Sequence, residues 1–438
     1  MSDTIFALSS AYGRAGVSVF RISGVKAAEI LTKLTGKKNF APRTATLAKL
    51  KNPSTGEIID EAIVLFFKAP ASFTGEDSAE IHTHGSVAVI GAVYEALGAT
   101  KLGRIARAGE FARRAFTLGK LDLAQAEALA DLINAQTESQ RKLAFGAYEQ
   151  ANSKLYKKWR GELVRVLAFE EAAIDFAEDE LPENIAAENA RSLKKLLAEM
   201  ERHLGTSGVA RKIKYGISVA ILGKPNVGKS SLFNRIVGES RAIVSPEAGT
   251  TRDLLEASVE IAGAQVNLYD TAGLRERARG RVERAGMKLA QNLSKTADIR
   301  VRIATNLRDA KAAAEDKEAI VLFNKIDKKN GAGTGKLPRG AIAISAKTGE
   351  NYGLFLKALE KKIAAAASPG TDAILSQRRH EEAICDAVQG IQAAIRERDE
   401  ILKAEHLRAA ANALGGITGE VRFSEILDSI FSNLCLGK

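Results

Sequence analysis

Cysteine is nearly missing from this sequence: Cys385 and Cys435 are its two representatives in 438 residues. That excludes a disulfide framework and agrees with a reducing compartment. No apolar run approaches the ~20 residues that span a bilayer, and the opening Met1-Ser-Asp-Thr lacks the basic and apolar regions of a secretory signal. A cytoplasmic protein without a membrane anchor is expected. Aromatic residues are only 5% of the chain, which argues against a base-stacking platform for single-stranded nucleic acid. Histidine is scarce too, with five in all. His82-Thr-His84 places two imidazoles on one side of a strand-like run, the start of a metal site, but no third ligand stands at ligand spacing. Charge, by contrast, is plentiful and unbalanced, with 64 Lys and Arg against 53 Asp and Glu and a net charge of +11. Such an excess serves solubility, and equally suits a partner made of phosphates, RNA or DNA. The length allows two or three domains, and 45% apolar residues suffice for their cores.

The most informative stretch is Gly223-Lys-Pro-Asn-Val-Gly-Lys-Ser230, preceded by the apolar run Ile217 to Leu222 and followed by Leu232-Phe233-Asn-Arg-Ile236. A buried strand, a tight loop and a helix start make this a phosphate-binding loop rather than a string match. Asn226, Val227, Gly228, Lys229, Ser230 and Ser231 surround the phosphates. Backbone N–H groups converge on phosphate oxygens, Lys229 adds a point charge, and Ser230 offers its hydroxyl to Mg²⁺. Val266 to Tyr269 reads as a strand delivering Asp270-Thr271-Ala272-Gly273, whose carboxylate holds Mg²⁺ through water and whose glycine amide meets a γ-phosphate. Ala319 to Phe323 delivers Asn324-Lys325-Ile-Asp327, and the Asp327 carboxylate suits the paired N1–H and N2 donors of guanine, which adenine lacks. Ser345-Ala346-Lys347 follows the strand Ala341 to Ile344 and adds backbone donors and a lysine stem near the base. Four motifs in order, each after an apolar run, read as a GTP-binding domain.

Around it the hydrophobic period changes twice. Residues 1–118 carry short strands at Thr4 to Leu8, Val17 to Ile22, Thr46 to Leu50 and Ala62 to Phe67, a hairpin loop at Asn52 to Gly56, and helices at Lys26 to Leu34 and Val87 to Leu97, hence an α+β domain. Residues 119–213 turn helical, with stripes at Leu155, Trp159, Leu163, Val166 and Leu167 and at Leu193, Leu196, Leu197, Met200 and Leu204. The GTP-binding unit, residues 214–369, a doubly wound and mostly parallel sheet, is inserted there between Gly/Ser and Ala/Pro/Gly breakers. Residues 370–438 resume the helical pattern, with stripes at Ile384, Val388, Ile391 and Ile395 and at Ile426, Leu427 and Ile430. The fold class is multidomain α/β.

Further stretches carry a family resemblance. Gly13-Arg-Ala-Gly16, Phe20-Arg-Ile-Ser-Gly24, Ser72-Phe-Thr-Gly-Glu-Asp77, Arg107-Ala-Gly-Glu-Phe111 with Arg114-Ala-Phe116, Gly119-Lys-Leu-Asp-Leu-Ala-Gln-Ala-Glu-Ala128 and the terminal Cys435-Leu-Gly-Lys438 resemble the MnmE (TrmE) tRNA-modification GTPases along the whole chain. The resemblance implies a GTP-hydrolysing enzyme. With a flavin-dependent partner, MnmG (GidA), in a heterotetramer or larger complex, it would add a carboxymethylaminomethyl or aminomethyl group to C5 of the wobble uridine, position 34, of certain tRNAs. It also implies a homodimer formed through the N-terminal domain, which would bind 5,10-methylene- or 5-formyl-tetrahydrofolate. Arg21, Glu80 and Lys120 match family positions around the folate, and Lys438 reaches the same pocket. Cys435 reads in four ways. A lipid-anchor signal is disfavoured because Gly437 is not aliphatic and Lys438 is not a usual terminal residue; a buried structural thiol, a catalytic nucleophile and a redox group remain.

For hydrolysis, Leu274 stands where many Ras relatives carry the water-orienting glutamine, so another group must act. Glu283 matches the family's catalytic glutamate. Arg275, Arg277, Arg279 and Arg281 are candidates for neutralising transition-state charge, or a solvated basic loop. The family resembles GTPases that recruit K⁺. Asn226 would contribute a side-chain carbonyl, and Ser245, Pro246, Glu247, Ala248, Gly249, Thr250 and Thr251 would wrap the ion, with Ser245, Glu247 and Thr250 as ligands. Thr251 would complete the Mg²⁺ shell with Ser230. One departure stands out: Ile299-Arg-Val-Arg-Ile303 puts Arg300 and Arg302 where this fold buries apolar residues on both faces; nucleotide binding is expected to survive it, while the strand packing and helix contacts on that edge are left open. The rival reading is a GTP-timed RNA-binding assembly factor without modifying activity. A purely structural dimer scaffold fits poorly with intact GTPase motifs.

Overall fold

The computed structural model describes residues 3–149, 151–175, 185–243, 256–270, 295–328, 336–368, 375–421 and Gly437. The chain divides into two compact units. The first is Met1–Ala130 with Ser153–Arg165 and Ala411–Lys438; the second is Asp131–Asn152 with Val166–Ala410.

In the first unit six strands form one sheet: β1 (Ile5–Leu8), β2 (Ala15–Ser23), β3 (Thr46–Lys51), β4 (Ile58–Phe67), β5 (Ser78–Gly85) and β6 (Arg104–Ile105), in the order β3-β4-β5-β2-β1-β6. All pairings are antiparallel except β1 with β6. Alternation along the strands sends Phe20 and Ile22, Ala48 and Leu50, Ala62 and Val64, and Ala79 and Ile81 to one face. There they meet Ile30, Leu31 and Leu34 of helix Ala27–Thr35 and Ile90, Val93 and Leu97 of helix Val87–Ala99. The expected hairpin loop forms: Asn52 N–H bonds the Glu57 carbonyl, and the Asn52 side chain accepts from the Ser54 amide.

Helical segments continue in both units. Helix Ala151–Asp175 buries Trp159 and Leu163, and helix Ile185–Leu204 buries Leu193, Leu196 and Met200, as the stripes predict. In helix Arg378–Arg396 the stripe needs one correction: Ala394, not Ile395, closes the buried face, and Ile395 is exposed. Ile426, Leu427 and Ile430 lie outside the described residues. No helix among the described residues is long and apolar enough to cross a membrane.

The second unit holds the other sheet: β7 (Ile217–Leu222), β8 (Arg241–Ala242), β9 (Glu256–Ile261), β10 (Ala264–Asp270), β11 (Ile299–Ala304), β12 (Ile320–Asn324) and β13 (Ile342–Ile344), ordered β13-β12-β11-β7-β10-β9-β8. From β13 to β10 the strands run parallel; β9 and β8 are antiparallel. Helices Lys229–Glu239 and Tyr352–Ala366 cover one face through Leu232, Phe233, Ile236, Phe355, Leu359 and Ile363.

The two arginines of β11 do not disrupt it. Ile299, Val301 and Ile303 face the helices and are buried, while Arg300 and Arg302 take the opposite face. Both converge on Asp316: Arg300 donates from Nε and Nη2 at 2.7 and 2.8 Å, and Arg302 from Nε at 3.1 Å. The Arg300 hydrogen bonds, helped by Arg302 and opposed by partial burial, hold the Asp316 carboxyl well below the usual carboxylate range. Because the folded-state value is depressed, this contribution is complete above the unfolded value and is lost as acid protonates the folded group. Asp316→Ala is expected to lower the unfolding free energy at pH 7 by about 1–2 kcal/mol. The gap to wild type should hold down to about pH 4 and narrow below it. Urea unfolding of both proteins across that range is the check, and a pH-independent gap would remove the ion pair as its cause.

Candidate functional site

The nucleotide motifs gather at the C-terminal ends of the parallel strands. β7 runs into the loop from Gly223, and Gly228, in a left-handed conformation at φ 104, caps helix Lys229–Glu239. A helix that starts at such a loop directs the backbone N–H groups of its first turn toward it. Lys229 is 4% exposed, and its Nζ donates to the carbonyls of Gly223 at 3.0 Å and Lys224 at 2.7 Å. Asn226 is also left-handed, at φ 59, and Val227 is buried beneath it. Ser231 sits exposed one residue past Ser230.

Asp270 ends β10 fully buried, and Ser230 Oγ donates to its Oδ2 at 2.6 Å. A hydroxyl and a carboxylate at the mouth of a phosphate loop are the hard oxygen donors that Mg²⁺ requires, so these two residues fit the ion.

The base side is built on β12 and β13. Asn324 donates from Nδ2 to the Val227 carbonyl at 2.7 Å, and its Oδ1 accepts from the Ala346 amide at 2.9 Å. Lys325 Nζ reaches the Asn226 carbonyl. Ser345 Oγ donates to Asp327 Oδ1 at 2.7 Å and accepts from the Thr348 amide at 3.1 Å. That Ser345 bond is the main reason the Asp327 carboxyl lies below its ordinary value, so at neutral pH it is an acceptor. Lys347 is exposed on the same loop. Of the sequence-predicted nucleotide residues, Asn226 to Ser231, Asp270, Asn324, Lys325, Asp327 and Ser345 to Lys347 thus come together. Thr271, Ala272 and Gly273, the stretch Ser245 to Thr251, Leu274, Arg275, Arg277, Arg279, Arg281 and Glu283 lie outside the described residues.

In the first unit Arg21 and Glu80 are cross-strand partners on β2 and β5. Arg21 Nη2 donates to Glu80 Oε1 at 3.0 Å, and Nη1 donates to the Gly437 carbonyl at 3.4 Å. The guanidinium also lies over the Phe73 ring, 5.0 Å from its centroid. Ser9 Oγ donates to the same Gly437 carbonyl at 3.0 Å. A Cβ at Gly437 would overlap the Ser9 backbone, which is why glycine stands in that terminal motif. Lys120 rests its stem on Gly75, in the loop that carries Phe73. Lys438 and Cys435 lie outside the described residues. His82 and His84 bond different carboxylates, Glu80 at 3.3 Å and Asp60 at 2.8 Å. No group of three or more His, Cys, Asp or Glu among the described residues is arranged to hold a metal ion.

One feature has no sequence signal: Arg235, on the helix after the phosphate loop, donates to the backbone of Ala346 and Lys347. In the Arg107-to-Phe111 motif, Glu110 joins Arg104 and Arg114; burial acts to raise its carboxyl, but hydrogen bonds from Arg104, the Arg107 amide and Arg114 outweigh this and bring it to about 2.

A phosphate loop, a Ser–Asp pair and an Asn–Asp base motif at the same end of one parallel sheet define a P-loop GTPase. The family model for the GTP-binding protein TrmE N-terminus matches residues 4–120, and the model for the MnmE helical domain matches residues 123–435. Over 100% of both chains the sequence is 44% identical to the tRNA modification GTPase MnmE of Parvibaculum lavamentivorans, 40% to that of Paramagnetospirillum magneticum and 38% to that of Rickettsia rickettsii. Among solved structures, the G domain of the T. maritima FeoB iron transporter is 24% identical over 35% of this chain and 99% of its own, at a TM-score of 0.24, a likeness too slight to add to the assignment. The chain belongs to the MnmE (TrmE) family of tRNA modification GTPases, and is a GTP-hydrolysing enzyme.

Asp327→Asn replaces one acceptor by a donor, so the variant is expected to prefer xanthosine over guanosine diphosphate, since xanthine carries an acceptor at C2. Competition between the two nucleotides measures this, and unchanged affinity for guanosine diphosphate would show that the base lies elsewhere.

Proposed function

We propose that this GTPase acts with a flavin-dependent partner of the MnmG (GidA) type in a heterotetramer or larger complex. Its product would be a carboxymethylaminomethyl or aminomethyl group on C5 of the wobble uridine, position 34, of certain tRNAs. The one-carbon unit comes from 5,10-methylene- or 5-formyl-tetrahydrofolate. The reaction is cytoplasmic, and the chain pairs with a second copy through its N-terminal domain. The same reading divides it into 1–118 for folate and dimerisation, 119–213 and 370–438 as the helical domain, and 214–369 as the GTPase.

What supports it most is the Arg21–Glu80 pair beside the Gly437 carbonyl and the Phe73 ring, within the segment that matches the TrmE N-terminus. Glu80 offers carboxylate oxygens to the amine and ring N–H of a pterin. Arg21 and Lys120 offer donors to its carbonyl and carboxylate groups, and Lys438 would reach the same pocket. Arg21, Glu80 and Lys120 fit a folate, which when bound supplies the carbon that is transferred.

On the GTP side Lys229 would neutralise phosphate charge, and Ser230 and Thr251, with Asp270 through water, would hold Mg²⁺, which when bound supplies positive charge to the phosphates. Glu283 aligns the attacking water in place of the absent glutamine. Arg275 is a secondary candidate for charge neutralisation. Asn226, with Ser245, Glu247 and Thr250, would hold K⁺.

A deletion strain is expected to lose the modified wobble nucleoside, read by mass spectrometry of its tRNA. Wild-type protein should restore it, whereas Arg21→Ala should not. Calorimetry should show that this variant binds reduced folate more than about tenfold more weakly, as for a lost charge-assisted hydrogen bond. Normal tRNA nucleosides with a ribosomal-subunit defect would favour the assembly factor instead.

Hydrolysis is expected to run faster in K⁺ than in Na⁺ at equal ionic strength, with the difference lost in Asn226→Ala. Single-turnover rates in the two salts decide it. Indifference to the cation, with collapse on replacing Arg275, Arg277, Arg279 or Arg281, would support an arginine mechanism.

A further inference from the structure

Helix Lys229–Glu239 carries the phosphate-binding residues at its start and, at Arg235, a side chain aimed at the other end of the nucleotide site. The Arg235 guanidinium donates from Nε to the Ala346 carbonyl at 3.1 Å and from Nη2 to the Lys347 carbonyl at 2.9 Å. Glu239, one turn on, accepts from Nη1 at 2.9 Å, and the Tyr352 ring lies under the guanidinium, 5.7 Å from its centroid. Room for it depends on Gly349, at φ 88, where a Cβ would stand 2.8 Å from Nη1. The side chain is about three-quarters buried, 25% exposed, so its carbonyl contacts are screened little by water.

We propose that Arg235 is a positioning residue for guanine recognition, acting through the peptide units of Ala346 and Lys347. The inference rests on the base pocket assigned to Asn324, Asp327 and Ser345 to Lys347. In a trans peptide the carbonyl of one residue and the N–H of the next point in opposite directions. Holding the Ala346 carbonyl toward the helix therefore turns the Lys347 N–H away from it, off the helix. Holding the Lys347 carbonyl does the same for the Thr348 N–H, which bonds Ser345 Oγ, the hydroxyl that also holds Asp327. The Ala346 unit is gripped on both sides, its N–H by Asn324 and its carbonyl by Arg235. A forked, planar guanidinium can hold two neighbouring carbonyls at once; a lysine ammonium is a single point. Backbone donors held in this way suit the one carbonyl of guanine, O6.

The test uses the full-length chain and three nucleoside diphosphates: guanosine; inosine, which keeps O6 and N1–H and lacks the 2-amino group; and 2-aminopurine riboside, which lacks O6 and with it the N1–H but keeps the 2-amino donor for Asp327. Arg235→Ala is expected to weaken guanosine and inosine diphosphates by about tenfold, as for loss of a charge-assisted hydrogen bond, mainly through faster dissociation. The 2-aminopurine compound should change by less than about twofold. Arg235→Lys should fall between, and serves if the alanine variant does not fold. Equal weakening of all three would mean general loosening of the domain and overturn the proposal, as would wild-type affinities. Asp327→Asn, measured alongside, separates the failures. If it shifts preference toward xanthosine diphosphate while Arg235→Ala is silent, only Arg235 is misassigned; if it does not, the base pocket itself is.

Discussion

A single buried carboxamide holds the nucleotide end of the second sheet together. Asn324, 2% exposed, meets the Val227 carbonyl on one side and the Ala346 amide on the other. The loops after β7, β12 and β13 therefore share one side chain. Leaving a buried partner unmet costs about 1–3 kcal/mol, so none of the three can withdraw alone. Lys325 repeats the connection at the surface through the Asn226 carbonyl, from a left-handed backbone at φ 71. Phosphate loop and base loop thus behave as one piece, which is what a ligand with charge at one end and hydrogen-bond donors at the other requires.

The first unit divides its charged residues between two tasks. Arg104, Glu110, Arg114, Asp3, Glu76 and Ser23 form a connected network, and Glu110 also accepts from the Arg107 amide. These residues make the Arg107-to-Phe111 and Ser72-to-Asp77 stretches so distinctive, and their bonds are to one another: the motifs build the domain. Arg21 and Glu80 differ in kind. They lie opposite each other on neighbouring strands, and Arg21 turns outward to rings and to the chain terminus.

The GTPase motifs were legible because each sits where an apolar run stops, and a parallel strand buried on both faces must read as such a run. The N-terminal strands were legible for the complementary reason, alternation at period two. Arg300 and Arg302 left the packing of β11 open. A doubly wound strand is expected to be apolar throughout, yet a shared carboxylate sixteen and fourteen residues on lets two arginines occupy one face. Ile395 misled because helical spacing marks a face and not the point where its cover ends. Arg235 and β6 were out of reach of sequence reasoning. An arginine whose partners are carbonyls leaves no pattern, and a two-residue strand has no period.

The hairpin β9–β10 carries the remaining constraint. Its turn meets helix Glu138–Tyr148 at the first helical residues: the Ser139 amide donates to the Gly263 carbonyl at 2.9 Å, and Gln140 Nε2 donates to Gln265 Oε1 at 2.9 Å and to the Lys214 carbonyl at 3.1 Å. Gln140 is also half of the capping box with Thr137 that starts this helix. Beside it Asp131 accepts from Lys214 Nζ at 3.0 Å and from Gln377 Nε2 at 2.8 Å, so the chain passes into β7 and returns to helix Arg378–Arg396 past one carboxylate. The far end of β10 is Asp270, bonded to Ser230. Seven strand residues at ~3.3 Å each make a rod of roughly 20 Å, held on both edges by β7 and β9. One strand is thus tied at Asp270 to the phosphate loop and, at its opposite end, to helix Glu138–Tyr148 through the Gly263 and Gln265 contacts, neutral hydrogen bonds of about 1 kcal/mol each.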